Sequence, residues 1–118
     1  MAEADWIGMA SGYEHDKITE VGWTVTKAEK VNAPVINELK LVIECKAVNT
    51  VTIGSHVQIT GEVVNIQADE SILDERGKYD LAKLNPIIYD EEQFAYRTVG
   101  GKTADAFKAG LRFRDDRP

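Results

Sequence analysis

An alternation of apolar and polar side chains from residue 39 to residue 63 constrains the fold of this chain more than any other feature. In its first half the odd positions are apolar, while Lys40, Glu44 and Lys46 stand at even positions. The apolar positions are Leu39, Leu41, Ile43, Cys45, Ala47, Val51 and Ile53, followed by Val57, Ile59 and Val63. A period of two is typical of a strand with one buried face, and Gly54-Ser55 stands where a turn is needed. The segment therefore predicts one long antiparallel hairpin.

Three positions within this hairpin, the pair Asn49-Thr50, Gly61 and Cys45, carry further expectations. The bend at Asn49-Thr50 indicates a β-bulge rather than the end of a strand. Gly61 falls on the apolar side, where the lack of a side chain admits a close neighbour. Because Cys45 is in register with Leu41 and Ile43, we expect it to be buried as a small hydrophobic residue rather than reactive.

The rest of the chain predicts short elements around the hairpin. The spacing of Trp6, Met9, Ala10 and Tyr13 predicts one face of a helix that ends near Gly12. The next predicted elements are a helical turn ending at Gly22, an extended segment over 23–28, a connector over 34–37 and a reversal over 74–77. A short helix from Asp80 to Leu84 and strands over 87–89 and 94–98 follow. In the last predicted helix Thr103 is the N-cap, and Ala104, Phe107 and Leu111 share a face. The sequence thus predicts a mainly β, antiparallel, barrel-like fold with peripheral α-helices.

The number of predicted strands is too small to close a barrel in one chain. A long hairpin edge would then expose unpaired backbone groups, and its apolar face would be bare. Association covers such surfaces, so we expect a homodimer or a higher oligomer, with a swapped arrangement as an alternative.

Length, charge and cysteine content narrow the class of protein. The 118 residues are enough for a single domain, 1–118, and the formal net charge of -6 is unfavourable for a nucleic-acid partner. One cysteine excludes an intramolecular disulfide. Glu3 and Asp5 stand where a signal peptide would be basic, and no apolar run is long enough to span a bilayer. We therefore expect a cytoplasmic protein with no membrane partner.

The segment from Ser11 to Lys17 is the first candidate binding site. It combines a hydroxyl, the flexible Gly12, the imidazole of His15, the carboxylate of Asp16 and an ammonium at the junction of two predicted helices. Unpaired backbone N–H groups with a nearby lysine can hold a phosphate. A solvated connector between helices has the same composition, so the residues alone leave both interpretations open.

Three further side chains are candidates. His56 stands at the mouth of the hairpin, where an imidazole can contact a ligand or simply lie at the surface. Phe94 and Tyr96 can lie against a planar ring, but aromatic residues at period two are also ordinary sheet packing. Two separated histidines without a cysteine pair make no recognisable zinc site.

The chain resembles the flavin reductase-like, FMN-binding split-barrel family, and its flavoredoxin-like members in particular. The resemblance rests on Ser11-Gly12, on Asp16-Lys17, and on a pattern matched by His56, Gln58, Ile59, Gly61 and Glu62. It implies an antiparallel split β-barrel, FMN as the cofactor, and Lys17 among the residues that hold FMN. Family members usually begin with a further block of strands that supplies most flavin contacts. The resemblance therefore implies that this chain corresponds to the C-terminal part of the family, either as a fragment or as a shortened relative that rebuilds the site between chains.

Two functions follow from this resemblance as expectations. The first is an FMN-binding flavoprotein that transfers electrons or reduces flavin with NAD(P)H, with Ser11, Gly12, Asp16, Lys17, His56, Phe94 and Tyr96 as the cofactor-binding residues. Its partners would be flavin, NAD(P)H or a redox partner protein, and a second copy of the chain. The alternative is a non-catalytic binding or assembly module that keeps the scaffold without flavin.

Overall fold

The computed structural model of this chain describes residues 1–114, and it consists of short helices and antiparallel hairpins. The helices are α1 (Ala2–Met9), α2 (Lys17–Glu20) and α3 (Leu81–Leu84), and the strands are β1 (Val25–Lys27), β2 (Pro34–Ile36), β3 (Leu41–Ile53), β4 (His56–Ala68), β5 (Ile87–Asp90) and β6 (Ala95–Thr98). Two 3₁₀ turns span Glu70–Ile72 and Ala109–Phe113. The strands pair as three antiparallel two-stranded sheets, so the fold is mainly β, and within residues 1–114 no sheet closes. The predicted domain end at residue 118 lies outside the described residues.

The predicted long hairpin is confirmed as β3 and β4. Its register runs from Leu41 opposite Ala68 to Ile53 opposite His56. The turn is formed by Gly54 and Ser55, and Gly54 has φ of 60°, a left-handed conformation that glycine adopts at no steric cost. The two strands and the turn of the hairpin are therefore those that the alternation predicts.

Two bulges in this hairpin decide which side chains share a face. Register shifts fall between Glu44 and Cys45, which leaves Val64 as the extra residue of β4, and between Ala47 and Asn49, which leaves Val48 as the extra residue of β3. Since opposite residues of an antiparallel pair lie on the same face of the sheet, the register assigns each paired side chain to one of the two faces. One face, called the apolar face below, holds no charged residue and consists of Leu41, Ile43, Cys45, Ala47, Thr50, Thr52, Val57, Ile59, Gly61, Val63, Ile66 and Ala68. The opposite, charged face includes Glu44, Lys46 and Glu62, together with Val51, Ile53 and His56.

The bulge at Val48 corrects one prediction about this hairpin. Val51 and Ile53 were expected to prolong the apolar face, but one inserted residue reverses the alternation and moves them to the charged face. The predicted bulge is confirmed, one residue before the expected bend.

The apolar face is not covered by any other element of the described chain, which corrects the expected burial of Cys45. Ile43 is 52% exposed and Ile59 is 63% exposed, and Cys45 is exposed as well. The prediction for Gly61 is confirmed, because a Cβ at this position would lie 2.8 Å from Cβ of Cys45. Gly61 therefore lets the two strands keep their register around the Cys45 side chain.

Glu44 is the buried charged group of the described chain, although the alternation predicts it on a solvated face. Only 3% of Glu44 is exposed, and its carboxylate accepts hydrogen bonds from the backbone N–H of Lys30 at 2.7 Å, from Asn65 at 2.9 Å and from Gln67 at 2.5 Å. The backbone N–H of Glu29 donates a fourth, at 3.3 Å. Glu44 therefore fastens the loop between β1 and β2 to the long hairpin.

These hydrogen bonds give Glu44 a measurable role in stability. Burial alone would raise the pKa of Glu44, but the donors outweigh burial and lower the pKa from 4.5 to about 2. A lowered folded-state pKa stabilises the fold above the unfolded pKa, and this contribution disappears as the pH falls from about 4.5 to about 2. We expect Glu44→Gln to lower the thermal midpoint at pH 7 by roughly 5 °C or more, because the new amide N–H group faces donors. Thermal scans from pH 7 to pH 2 should show the difference from wild type shrinking over that window, and a constant difference would contradict this role.

Three further predictions outside the long hairpin are wrong. The first helix ends at Met9, since Ala10 is extended, and Tyr13 is fully exposed beyond it. Pro34–Ile36 is a strand rather than a connector, with proline at the first position, where it costs no ladder hydrogen bond. The last helix is replaced by the 3₁₀ turn Ala109–Phe113, because Phe107 has φ of 62° and is 98% exposed, so no packed face supports an α-helix.

The described chain is more open than a compact domain of its length. Its radius of gyration is 18.6 Å, against roughly 13 Å for a compact chain of this size. None of the helices within residues 1–114 has the length and apolar character needed to cross a bilayer. The open shape and the bare apolar face together show that much apolar surface of the described chain is left uncovered.

Candidate functional site

The segment from Ser11 to Lys17, called the corner below, joins α1 to α2; residues 11–16 are not helical, and Lys17 is the first residue of α2. The carbonyl of Ser11 accepts hydrogen bonds from the backbone N–H groups of Glu14 and His15, both at 3.1 Å. The Ser11 hydroxyl accepts one from the N–H of Tyr13 at 3.3 Å. The N–H groups of Ser11 and Gly12 donate no hydrogen bond within residues 1–114, so they are available to an anion.

Asp16 begins α2 as its N-cap. Its carboxylate accepts hydrogen bonds from the hydroxyl of Thr19 at 2.7 Å and from the N–H of Thr19 at 3.3 Å. The hydroxyl contact first, and then the backbone contact, lowers the pKa of Asp16 below its usual value. Asp16 therefore shapes the corner by fixing where α2 starts.

Lys17 binds the other helix. Its ammonium group donates to the carbonyl of Ile7 at 2.8 Å and to the carbonyl of Ala10 at 3.0 Å. The last carbonyls of a helix have no partner within the helix, and a cation there also interacts favourably with the helix dipole. Because an ammonium group has three donors, one N–H of Lys17 remains for a ligand.

A cluster of Trp6, His15 and Glu20 lies beside the corner, and the sequence analysis did not identify it. The indole N–H of Trp6 donates to Oε2 of Glu20 at 2.9 Å, and Nδ1 of His15 lies 3.1 Å from Oε1 of the same carboxylate. The rings of Trp6 and His15 meet edge to face, with centroids 5.1 Å apart. The spacing of these three residues in the sequence matches no helical or strand period that would place them on one face. Only the packing of α1 against α2 brings them together.

His56 lies at the start of β4, opposite Ile53, on the charged face. It is exposed, and within residues 1–114 no hydrogen bond or ion pair joins it to the corner. The predicted position at the mouth of the hairpin is confirmed, while its role in binding stays a prediction.

Phe94 and Tyr96 occupy different environments, although both were expected in one strand. Phe94 precedes β6 in the turn, with φ of 46°, and is 84% exposed. Tyr96 is half-buried in β6, and its ring lies 5.7 Å from that of Tyr89 on β5. The hydroxyl of Tyr96 donates to Oδ1 of Asp5 in α1 at 2.9 Å, and this bond, ahead of burial, raises the pKa of Tyr96.

The structure thus brings together only part of the predicted site. Ser11, Gly12, Asp16 and Lys17 form one corner, and Tyr96 is linked to that corner through α1. His56 and Phe94 have no such link: His56 is exposed at the start of β4, and Phe94 is exposed in the turn of the β5–β6 hairpin that also carries Tyr96. Within the described residues no cluster of histidine, cysteine, aspartate and glutamate side chains is suited to a metal ion.

Comparison with known proteins identifies what this arrangement is similar to. A family model described as a flavin reductase like domain matches residues 1–97. No curated protein matches the chain.

Solved structures with this fold include two flavoredoxins. The flavoredoxin of Desulfovibrio vulgaris (Miyazaki F) is 34% identical, with a TM-score of 0.84 over 93% of this chain and 58% of its own. The flavoredoxin from Methanosarcina acetivorans is 30% identical, with a TM-score of 0.81 over 92% of this chain and 57% of its own. This chain therefore spans less than two thirds of the length of either protein.

A third solved structure shows the fold alone. A putative flavin reductase with split barrel domain from Shewanella frigidimarina is 21% identical, with a TM-score of 0.65 over 88% of this chain and 52% of its own. The open antiparallel sheets of this chain are therefore part of a split-barrel fold.

Proposed function

Because the chain belongs to the flavin reductase-like domain family, we propose that it is an FMN-binding flavoprotein of the flavoredoxin type. Its role is electron transfer or NAD(P)H-dependent flavin reduction, with NAD(P)H or a redox protein as the second partner. The observation that carries the proposal is the family match over residues 1–97, which includes the corner, His56, Phe94 and Tyr96. When bound, FMN supplies the ring that accepts electrons, and the protein supplies orientation and electrostatics.

The corner fits the phosphate end of FMN. Lys17 offers a positive charge held in place by two carbonyls, and the N–H groups of Ser11 and Gly12 add donors beside it. At Gly12 no atom lies within 4 Å of the place where a side chain would begin, so a ligand can approach the backbone closely. In this proposal His56 contacts the phosphate or the ring edge, and Phe94 lies against the ring.

We also propose that a second copy of this chain covers the apolar face. Each copy carries a formal net charge of -6, which opposes association in general. The apolar face carries no charged residue, while Lys46 and Glu62 lie on the opposite side. Two copies can therefore meet through this face without bringing like charges into contact, and the same patch on both copies closes a two-fold dimer.

A flavin titration tests the proposed function. We expect the purified chain to quench FMN fluorescence saturably, and to bind riboflavin more weakly because riboflavin lacks the phosphate that Lys17 meets. A saturable spectral shift of the flavin absorbance is the independent readout. A colourless protein that leaves the fluorescence of added FMN unchanged would instead establish the alternative, a binding or assembly module without flavin.

A further inference from the structure

Helix α1 is held at both ends by side chains from other elements. Near its start, Asp5 accepts the hydrogen bond of Tyr96 at 2.9 Å, which joins residues 91 positions apart in the sequence. At its end, the carbonyls of Ile7 and Ala10 accept the two hydrogen bonds of Lys17. An eight-residue helix is about 12 Å long, and its backbone hydrogen bonds join the two attachments within little more than two turns.

Tyr96 itself is placed by the β5–β6 hairpin. It lies opposite Tyr89 in the register, and the two rings are in contact. The turn of this hairpin is closed by Asp90, whose carboxylate accepts from the N–H of Gln93 at 3.1 Å and pairs with Arg97 at 2.5 Å. The Tyr96 hydroxyl therefore presents a fixed donor to α1, and in the described chain this bond is half-buried rather than solvated.

We propose that Tyr96 is a positioning residue, whose hydroxyl, through Asp5 and α1, sets the place of the Lys17 ammonium group and thereby the affinity of the corner for a phosphate ester. This inference rests on the proposed FMN binding at the corner, and it gives Tyr96 a role other than direct contact with the flavin ring. The path is Tyr96 to Asp5, then along α1 to the carbonyls of Ile7 and Ala10, then to Lys17. Breaking the first bond leaves α1 attached only on the side of α2, through the Trp6–Glu20 hydrogen bond and through Lys17, so the helix and the two carbonyls that hold Lys17 shift together.

The test compares variants that break the bond from either side. Tyr96→Phe removes the donor and keeps the ring, and Asp5→Ala removes the acceptor without altering Tyr96. Each should weaken FMN roughly three- to tenfold, as expected for the loss of one hydrogen bond, while riboflavin changes by less than twofold. The double variant should bind FMN no more weakly than either single variant, because both remove the same link.

Two further variants serve as matched controls. Asp5→Asn keeps an acceptor oxygen and should restore most of the FMN affinity that Asp5→Ala loses. Tyr89→Phe removes the hydroxyl of the paired ring, which makes no hydrogen bond within residues 1–114, and should leave FMN affinity unchanged.

The movement of α1 has a readout that needs no ligand. Trp6 lies on α1, so its emission, recorded in a Trp23→Phe background, should shift in Tyr96→Phe and stay constant in Tyr89→Phe. Wild-type FMN affinity in both Tyr96→Phe and Asp5→Ala would overturn this inference and leave the proposed function standing. Equal losses of FMN and riboflavin would also overturn it, because the Tyr96–Asp5 bond would then affect a part common to both flavins rather than the phosphate. A wild type that binds no FMN would overturn the proposed function and this inference together.

Discussion

Replacing Lys17 with alanine is expected to weaken FMN binding roughly ten- to a hundredfold. A hydrogen bond between a charged donor and an acceptor is commonly worth about 1.5–3 kcal/mol, which corresponds to this range of affinity. Riboflavin has no phosphate and should lose much less affinity to the same variant. Fluorescence titrations of both flavins against both proteins measure the two ratios.

The structure makes a control necessary, because Lys17 also binds the end of α1. Lys17→Arg keeps the positive charge and the donors for Ile7 and Ala10, so it should retain most of the FMN affinity. Lys83→Ala is the matched control elsewhere in the chain, since the Lys83 ammonium group also donates to a backbone carbonyl, that of Leu73. If Lys83→Ala weakens FMN as much as Lys17→Ala does, or if wild type and Lys17→Ala bind FMN equally, Lys17 does not hold the phosphate.

The long hairpin could be predicted from the sequence, but its two faces could be predicted only in part. Period-two alternation reports which residues share a side as long as the ladder is regular. The bulge at Val48 does not change the alternation in the sequence, but it places Val51 and Ile53 on the face opposite to the one that the alternation predicts. A bend was predicted near this position, yet its effect on the faces depends on which residue is inserted, and that is fixed by pairing with β4.

Burial within the hairpin depended on contacts that no local pattern reports. Glu44 has the same sequence setting as Lys40 and Lys46, and all three were expected in solvent. The loop between β1 and β2 supplies two backbone N–H donors, which the carboxylate of Glu44 accepts and which the ammonium group of a lysine could not accept. Cys45 is the converse case, since it lies on the apolar face as predicted but nothing in the described chain covers it.

The candidate site shows the same limit. The residue pattern of the corner could be predicted, and Asp16 as the cap of α2 follows from its residue type and position. The bond between Tyr96 and Asp5 could not, because it depends on how the β5–β6 hairpin packs against α1. Sequence reasoning therefore located individual residues better than the links between them.

The second large effect is expected at the apolar face. Sedimentation velocity at roughly 10 µM should show the wild type as a dimer, because so much apolar surface is uncovered in one chain. Ile59→Asp places a carboxylate on this face, opposite Thr50, where the partner copy would bury it without a counter-charge. Since two-fold symmetry introduces two such carboxylates in one interface, we expect dimer affinity to fall by at least about a thousandfold, leaving a monomer.

Thr60→Asp provides the matched control for this experiment. Thr60 neighbours Ile59 on β4 and is also exposed, but the register places it on the charged face, opposite Asn49. The same carboxylate added there remains solvated in a dimer built through the apolar face, so Thr60→Asp should sediment like the wild type. Equal dissociation by both variants would show that the added charge, rather than its face, weakens association. A monomeric wild type would show that a second copy does not cover the apolar face.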